Sequence, residues 1–239
     1  MTPRNLLTTM QTGIRTRLSS GHEKIKVLLV GSASEQSAAL VCSTLEEWFA
    51  HHWYLTVLDR CRTPLNRIRE HLGSEINVVQ GDLSEYRPPG EEFDLIIGDC
   101  ILEFNTAENR GRMLENISAL LSETGVGVLR ERTGIVSHAM EIRQESEHLV
   151  QKARDHLAAN HLPLARSELE LIRSKSYRFL LQILDSHNAY ESRDALERDL
   201  SMYLSIIDRQ IFDNVSRELV YHYYILRKRA RISGKALRS

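Results

Sequence analysis

Three aspartates, Asp59, Asp82 and Asp99, stand at or just after the ends of short apolar runs in the first half of the chain. In a parallel α/β sheet, such positions gather at the carboxyl edge of the strands, where ligands bind. The first of these acids can accept hydrogen bonds from a ribose diol, and Asp82 can accept one from an adenine amino group. Together the three acids predict a site for a nucleoside-type ligand.

A loop of small residues, Gly31-Ser32-Ala33-Ser34, follows the first apolar run and precedes a predicted helix. Small residues let the backbone N–H groups at a helix N-terminus approach a ligand, so the loop is expected to belong to the same site. Cys100 follows Asp99 and is expected to line the site, although cysteine is more often a small core residue than a reactive thiol.

Metal binding is not predicted from this sequence. Of its 10 histidines, His148, His156 and His161 fall on or near one predicted helix, but their spacing does not place three ligands on one face. The 3 cysteines are too scattered for a disulfide framework or a zinc site. Reduced thiols in a cytoplasmic protein are therefore expected.

Glycine and proline positions divide the 239 residues into two parts. Up to Gly134 they recur between short apolar runs, whereas from there to Gly234 the only such residue is Pro163. The first part is predicted to alternate strands and helices, and the second to be mostly helical. The predicted strands are 25–30, 54–58, 76–79, 93–97 and 125–129, and the helices between them are 35–50, 64–72 and 108–121. Further helices are predicted over 139–157, 169–183 and 192–207, followed by an antiparallel strand pair over 210–220 and 221–226.

These elements predict an α/β fold, a doubly wound, mostly parallel seven-stranded sheet with an antiparallel last strand and a helical lid inserted after strand five. A lid of that size would exclude water and enclose a small acceptor. The expected organisation has four parts: an N-terminal helix or lid over 1–20, a ligand-binding core over 21–134, a helical cap over 135–207, and closing strands with a basic tail over 208–239.

The residues at the strand ends resemble those of the class I S-adenosylmethionine (SAM)-dependent methyltransferases, which have a Rossmann-like fold. The resemblance covers about residues 24–132 and rests on VLLVGSASEQ, TVLDRCRTPL, VVQGDLSEY, EFDLIIGDCILEF and LLSETGVGVL. The segment TVLDRCRTPL is similar to the second-strand segment of a bacterial subgroup. Where the family commonly carries acid-x-G-x-G-x-G, this chain has Leu29, Gly31, Ala33 and Glu35.

The resemblance implies SAM as the cosubstrate and a set of residues that would bind it. The loop after the first strand would lie beneath the methionine part, the acid after the second strand would hold the ribose, and the acid after the third would hold the adenine. The implied cofactor-binding residues are Gly31, Ser32, Ala33, Asp59, Arg60, Asp82, Leu83 and Asp99.

The candidate catalytic residues are Asp99, Cys100, Glu131 and Tyr177. Where the acceptor needs a general base, Asp99, Glu103 or Glu131 is the candidate. Tyr177 and Tyr190 are candidates for a cation–π contact with the sulfonium. The charged residues 130–132 either face the same cavity or are surface charges.

Three functions remain open from the sequence. The first is methyl transfer from SAM to a small-molecule acceptor. The second is a SAM-consuming reaction without methyl transfer, such as cyclisation to azetidine-2-carboxylate with release of methylthioadenosine, which the altered glycine loop and the closed lid suggest. The third is a non-catalytic binding or scaffold protein on a degenerate methyltransferase fold, suggested by the missing glycines.

Composition favours a small acceptor over a macromolecule. With 31 Lys+Arg and 32 Asp+Glu, the net charge of −1 lacks the basic excess of nucleic-acid-binding proteins. GDCI follows the fourth strand, where nucleic-acid amino methyltransferases often carry an NPPY-like tetrad. No apolar run reaches the roughly 18 to 20 residues of a membrane span. The expected partner is therefore a small-molecule substrate, without nucleic acid or membrane, for a monomer or homodimer.

Overall fold

The computed structural model describes residues 24–31, 35–50, 52–103, 105–133, 190–216 and 219–229, with a few positions between 147 and 174. The described residues form seven strands and four helices. In chain order these elements are β1 Ile25–Val30, α1 Glu35–Phe49, β2 Trp53–Asp59, α2 Arg62–Leu72, β3 Asn77–Gln80, β4 Phe93–Asp99, α3 Ala107–Leu120, β5 Leu121–Thr133, α4 Arg193–Tyr203, β6 Leu204–Ser216 and β7 Leu219–Lys228.

The strands form one sheet in the order β3-β2-β1-β4-β5-β7-β6. Strands β1 to β5 pair with one another in parallel, and β7 runs antiparallel to both β5 and β6. This order confirms the prediction of a doubly wound, mostly parallel, seven-stranded sheet with an antiparallel last strand. The predicted lid is not among the described elements.

Helices cover both faces of the sheet, and this explains why the central strands are almost continuously apolar. On one face, α1 and α2 contribute side chains that are at most 3% exposed: Ala38, Val41, Leu45, Leu65 and Ile68. On the other face, α3 and α4 contribute fully buried side chains: Leu114, Ile117, Leu196 and Leu200. The sheet is thereby fixed from both sides, and the carboxyl ends of its strands form one edge.

The helix predicted over 192–207 is confirmed only in part, since the structure has a helix over 193–203 and a strand from residue 204. Helix α4 packs against α3 in the core, and it ends at Tyr203. Leu204 and Ile207, which fit a helical spacing, instead lie in β6, where Leu204 pairs with Lys228 of β7. Cross-strand packing here outweighs the local helical pattern.

Several predicted boundaries are also wrong by a few residues. Strand β5 begins at Leu121, which was expected to end a helix, because Leu121 pairs with Phe93 of β4. Strand β6 ends at Ser216 and β7 begins at Leu219, whereas the sequence predicts the first strand of the pair to end at 220 and the second to begin at 221. The predicted N-terminal helix and the cap over 135–189 lie outside the described residues, apart from a few positions in the cap.

Candidate functional site

A cavity of about 460 Å³ lies at the carboxyl ends of β1 to β5. It brings together seven of the site residues expected from the sequence: Gly31, Asp59, Arg60, Asp82, Leu83, Asp99 and Cys100. Ser32, Ala33 and Tyr177 lie outside the described residues. The volume is in the range of small-molecule sites, which are about 300–1,000 Å³.

Gly31 turns the chain out of β1 with a left-handed φ of +69°. Its N–H donates to the carbonyl oxygen of Leu58 at 3.1 Å. A Cβ atom at this position would lie 2.7 Å from Cγ2 of Ile101, which is closer than real Cβ atoms approach. Both the backbone conformation and the space therefore require glycine here, as expected for a loop that passes under a ligand.

Asp59 has one carboxylate oxygen occupied and one available. Oδ1 accepts the backbone N–H of Cys61 at 2.7 Å, while no residue in the described part of the chain donates to Oδ2. The bond to Cys61 fixes the carboxylate at the cavity wall. The remaining oxygen can accept from a ligand hydroxyl.

Asp82 is held by the turn that it begins. Its Oδ1 accepts both the N–H and the hydroxyl of Ser84 at 2.8 Å, and Arg60 lies 3.5 Å from its Oδ2. Partial burial raises the pKa of Asp82, but the two hydrogen bonds from Ser84 and the charge of Arg60 outweigh burial and lower it below its usual value. The carboxylate is therefore ionised and acts as a hydrogen-bond acceptor near neutral pH.

Cys100 carries the chain from β4 over the cavity in a left-handed conformation, with a φ of +53°. Non-glycine residues adopt this region at a cost of about 1–2 kcal/mol, so the surrounding structure must hold it there. Its N–H donates to the carbonyl oxygen of Arg130 at 2.7 Å. Burial and neighbouring carboxylates raise the pKa of the thiol well above its usual value, so the thiol form lines the cavity.

Two ion pairs form the floor at the β4 and β5 side of the cavity. Arg130 pairs with Asp99 through its Nε, and Arg132 pairs with Glu103 through two nitrogens at 2.9 and 3.3 Å. Burial raises the pKa of both carboxyls, and the paired arginines oppose that effect. Residues 130 and 132 thus belong to the site and not to the open surface.

Glu131 does not line the cavity, although the sequence made it a candidate catalytic residue. Its side chain is fully buried and accepts the backbone N–H groups of Ile101 and Leu102 at 3.0 and 3.2 Å. Burial and the nearby Glu103 raise the pKa of its carboxyl well above the usual value. Glu131 therefore supports the loop after β4 from behind, since β5 points it to the opposite face from its two arginine neighbours.

Tyr190 is also placed differently from its expected role beside a sulfonium. It is 3% exposed in the core on the α3 and α4 face, and the guanidinium of Arg110 lies 4.2 Å from its ring centroid. The cation over this ring is thus an arginine of the chain. Its backbone forms an isolated bridge with Thr133, the last residue of β5.

Comparison with solved structures identifies the fold. The N-methyltransferase NodS from Bradyrhizobium japonicum WM9, solved with S-adenosyl-L-homocysteine (SAH), has a TM-score of 0.54 and 14% identity over 93% of this chain and 85% of its own. A SAM-dependent methyltransferase from Clostridium acetobutylicum ATCC 824 has a TM-score of 0.58 and 10% identity over 95% of this chain and 92% of its own. The fold is that of the class I methyltransferases.

The methyltransferase fold is also shared with LepI, a variant of which was solved with SAH and a substrate analogue. That structure has a TM-score of 0.54 and 12% identity over 91% of this chain and 46% of its own. No family model and no curated protein sequence matches the chain.

One wall of the cavity in this methyltransferase fold was missed by the sequence reasoning. Tyr221 of β7 lines the cavity, directly opposite Arg132 in the β5–β7 register. No motif marks this tyrosine, and only the pairing of strands far apart in sequence places it there.

The described residues contain no group of three or more His, Cys, Asp or Glu side chains that could hold a metal ion. None of the helices in the described part of the chain combines the length and apolar character that a membrane crossing needs.

Proposed function

We propose that the protein is a SAM-dependent methyltransferase that acts on a small-molecule acceptor. The observation that carries this proposal is the Asp59 carboxylate, which is fixed by Cys61 and keeps one oxygen for a ligand at the end of β2. An acid at this position of a doubly wound fold can bind a ribose diol. The fold and the SAH complexes of two structural neighbours support the same cosubstrate.

In the proposed reaction, a nitrogen, oxygen or carbon of the acceptor attacks the methyl carbon of SAM in line with the carbon–sulfur bond. The new bond forms as the methyl–sulfur bond breaks, its electron pair stays on sulfur, and the acceptor loses a proton. Because the sulfonium is already a good leaving group, most of the acceleration comes from holding the two reactants in line. The ion-paired floor of the cavity and the rigid strand ends provide that positioning.

Calorimetry with SAH tests the cosubstrate site. The wild-type protein is expected to bind SAH, and Asp59→Ala should weaken binding at least tenfold because the ribose loses its acceptor. Asp208→Ala is the matched control, since Asp208 is exposed on β6 and is not part of the cavity wall. No binding by the wild type, or equal binding by both variants, would reject the proposal.

Product analysis then separates the alternative reactions. Purified protein is incubated with SAM alone and with SAM plus a panel of small acceptors, and SAH and methylthioadenosine are measured. Methyl transfer predicts SAH only when an acceptor is present. Release of methylthioadenosine from SAM alone would favour the cyclisation reaction, and binding of SAH without any turnover would favour the non-catalytic alternative.

A further inference from the structure

Arg132, in the ion-paired floor of the cavity, is held by a buried acid. Glu103 is 3% exposed and receives hydrogen bonds from Nε and Nη2 of Arg132 at 2.9 and 3.3 Å. Two parallel bonds to one carboxylate fix the plane and the direction of the guanidinium. The arginine is therefore preorganised, and its side chain is still 14% exposed.

The pair with Glu103 uses only one edge of that guanidinium. The two N–H donors of Nη1, and one of Nη2, have no acceptor in the described part of the chain. Because Arg132 lines the cavity, these donors are available to a bound molecule. A second carboxylate can bind this edge in the same two-bond arrangement.

Tyr221 adds a neutral donor next to the same edge. It lies opposite Arg132 in the β5–β7 register, and directly paired residues of an antiparallel ladder project from the same face. Its ring is held by Arg130, whose guanidinium carbon lies 5.1 Å from the ring centroid. Burial raises the pKa of its phenol, so the hydroxyl keeps its proton, and the described residues offer it no acceptor.

These donors lie at the end of the cavity away from the proposed nucleoside contacts. Asp59 is on β2 and Arg132 is on β5, with β1 and β4 between them. Three strand spacings of about 4.8 Å separate the two residues by about 14 Å across the sheet. The Arg132 edge is thus separate from the residues proposed to hold the ribose and adenine.

The charges at this end favour a ligand with a single negative charge. Arg130 is balanced by Asp99 and Arg132 by Glu103, so the floor is neutral when both pairs are ionised. A monocarboxylate would then be balanced by the positive sulfonium of SAM, whereas a dianionic phosphate would leave an excess negative charge in a partly buried site.

We propose that Arg132 and Tyr221 bind a carboxylate of the acceptor, and that the acceptor is a small molecule carrying one such group. This inference rests on the proposed function for the meaning of "acceptor", but the carboxylate site itself does not depend on methyl transfer. It assigns a specificity-determining role to a residue pair on β5 and β7.

The test measures binding of simple probes to the protein saturated with sinefungin, a SAM analogue with an amine in place of the methyl-bearing sulfonium. Calorimetry or NMR titration compares acetate and benzoate with acetamide, benzamide and phenyl phosphate. We expect the carboxylates to bind at least tenfold more tightly than the amides, and benzoate more tightly than phenyl phosphate. Equal binding of benzoate and benzamide, or no carboxylate binding at millimolar concentration, would overturn the inference.

Variants identify the residues that provide the site. Tyr221→Phe keeps the ring and should weaken benzoate several-fold, and Arg132→Gln should weaken it at least tenfold. The double variant Glu103→Gln/Arg132→Gln avoids an unpaired buried carboxylate and should show the same loss. Arg67→Gln is the control, because Arg67 is exposed on α2 and is not part of the cavity wall.

Sinefungin and SAH affinities are measured for every variant and should fall less than benzoate affinity does. Failure of the wild type to bind either compound would reject the proposed function, whereas the probes titrated onto the protein alone would still report on the carboxylate site. Intact sinefungin binding with benzoate affinity unaffected by the Arg132 variants would reject the carboxylate site alone.

Discussion

At the scale of single residues, Gly31 links the backbone of β1 to the shape of the cavity. Its left-handed conformation and the 2.7 Å approach to Ile101 that a Cβ atom would make are separate constraints. Gly90, in the loop before β4, has a φ of +65° but no atom within 4 Å of such a Cβ. The two glycines therefore allow backbone strain to be separated from steric overlap.

We expect Gly31→Ala to destabilise the protein more than Gly90→Ala. Both variants incur about 1–2 kcal/mol for the left-handed alanine, and Gly31→Ala adds about 1–3 kcal/mol for the clash with Ile101. Urea unfolding measures the difference, and SAH calorimetry should show weakened binding only for Gly31→Ala. Equal stability losses with unchanged SAH affinity in both variants would contradict the assigned role of Gly31.

The sequence predicts which residues line the cavity in those places where chain order alone determines the position of a residue in the sheet. Gly31, Asp59, Asp82 and Asp99 follow strands of a parallel sheet, so their shared edge can be inferred before any contact is known. The direction in which a side chain points depends on the residues that it contacts in the folded chain. The sequence does not give those contacts, and for this reason Glu131 was expected to line the cavity. The pairing of Glu103 with Arg132 joins residues 29 positions apart, and no local pattern indicates it.

At the scale of elements, Asn116 fastens α3 to the segment that follows β3. Its side chain is fully buried, and Nδ2 donates to the carbonyl oxygens of Leu83 and Tyr86, the latter at 2.7 Å. This segment carries Asp82 and Leu83 at the cavity wall. One helix side chain therefore determines where the proposed adenine contacts lie.

We expect Asn116→Asp to destabilise the protein by at least about 2 kcal/mol, since two buried carbonyls lose their donor and face a carboxyl oxygen. SAH affinity should fall as well, because the segment with Asp82 loses its support. Asn66→Asp makes the same chemical change at an exposed position of α2 and should alter neither quantity. Urea unfolding and calorimetry of the two variants provide the check, and wild-type behaviour of Asn116→Asp would remove this role.

The sequence predicts helices and strands correctly where the spacing of apolar residues matches the side chains that are buried in the fold. The parallel strands are apolar runs between amphipathic helices, and they form as predicted. Residues 204–207 are the exception, because their apolar spacing fits a helix while their pairing with β7 requires a strand. Such a conflict is decided by tertiary contacts, which one sequence does not contain.

At the scale of the whole molecule, stability depends on pH through His222, which joins β7 to β5. Its Nε2 lies 2.7 Å from the hydroxyl of Thr133, and its ring stacks on Tyr224. Burial and the charge of Arg193 lower the pKa of His222, and Glu197 opposes them. Glu131 faces it across the ladder with a carboxyl whose pKa is raised by burial.

A lowered pKa in the folded state means that the unfolded chain takes up the proton first as pH falls. The contribution of His222 to stability is therefore complete above its unfolded pKa of about 6.5 and is lost as pH falls through the folded value. His222→Gln keeps a polar partner for Thr133 and removes this loss. Its stability relative to wild type should rise between pH 7.5 and 5, by no more than about 1.4 kcal/mol per pH unit.

Urea unfolding of both proteins across this pH range provides the measurement. His71→Gln is the control, because His71 is exposed on α2, and its curve should run parallel to that of the wild type. A His222→Gln curve that is also parallel to the wild type would show that His222 titrates equally in the folded and unfolded chains.

The β5–β7 ladder has a kinetic consequence for the order of folding. Gly127 pairs with Leu226, so the ladder joins segments about 100 residues apart, whereas β1, β2 and β3 pair over short stretches of chain. Closing the longer loop costs more chain entropy, and non-local pairings form slowly. A refolding chain should therefore assemble the wall with Asp59 before the wall with Arg132 and Tyr221, and so form the proposed nucleoside contacts before the proposed carboxylate site.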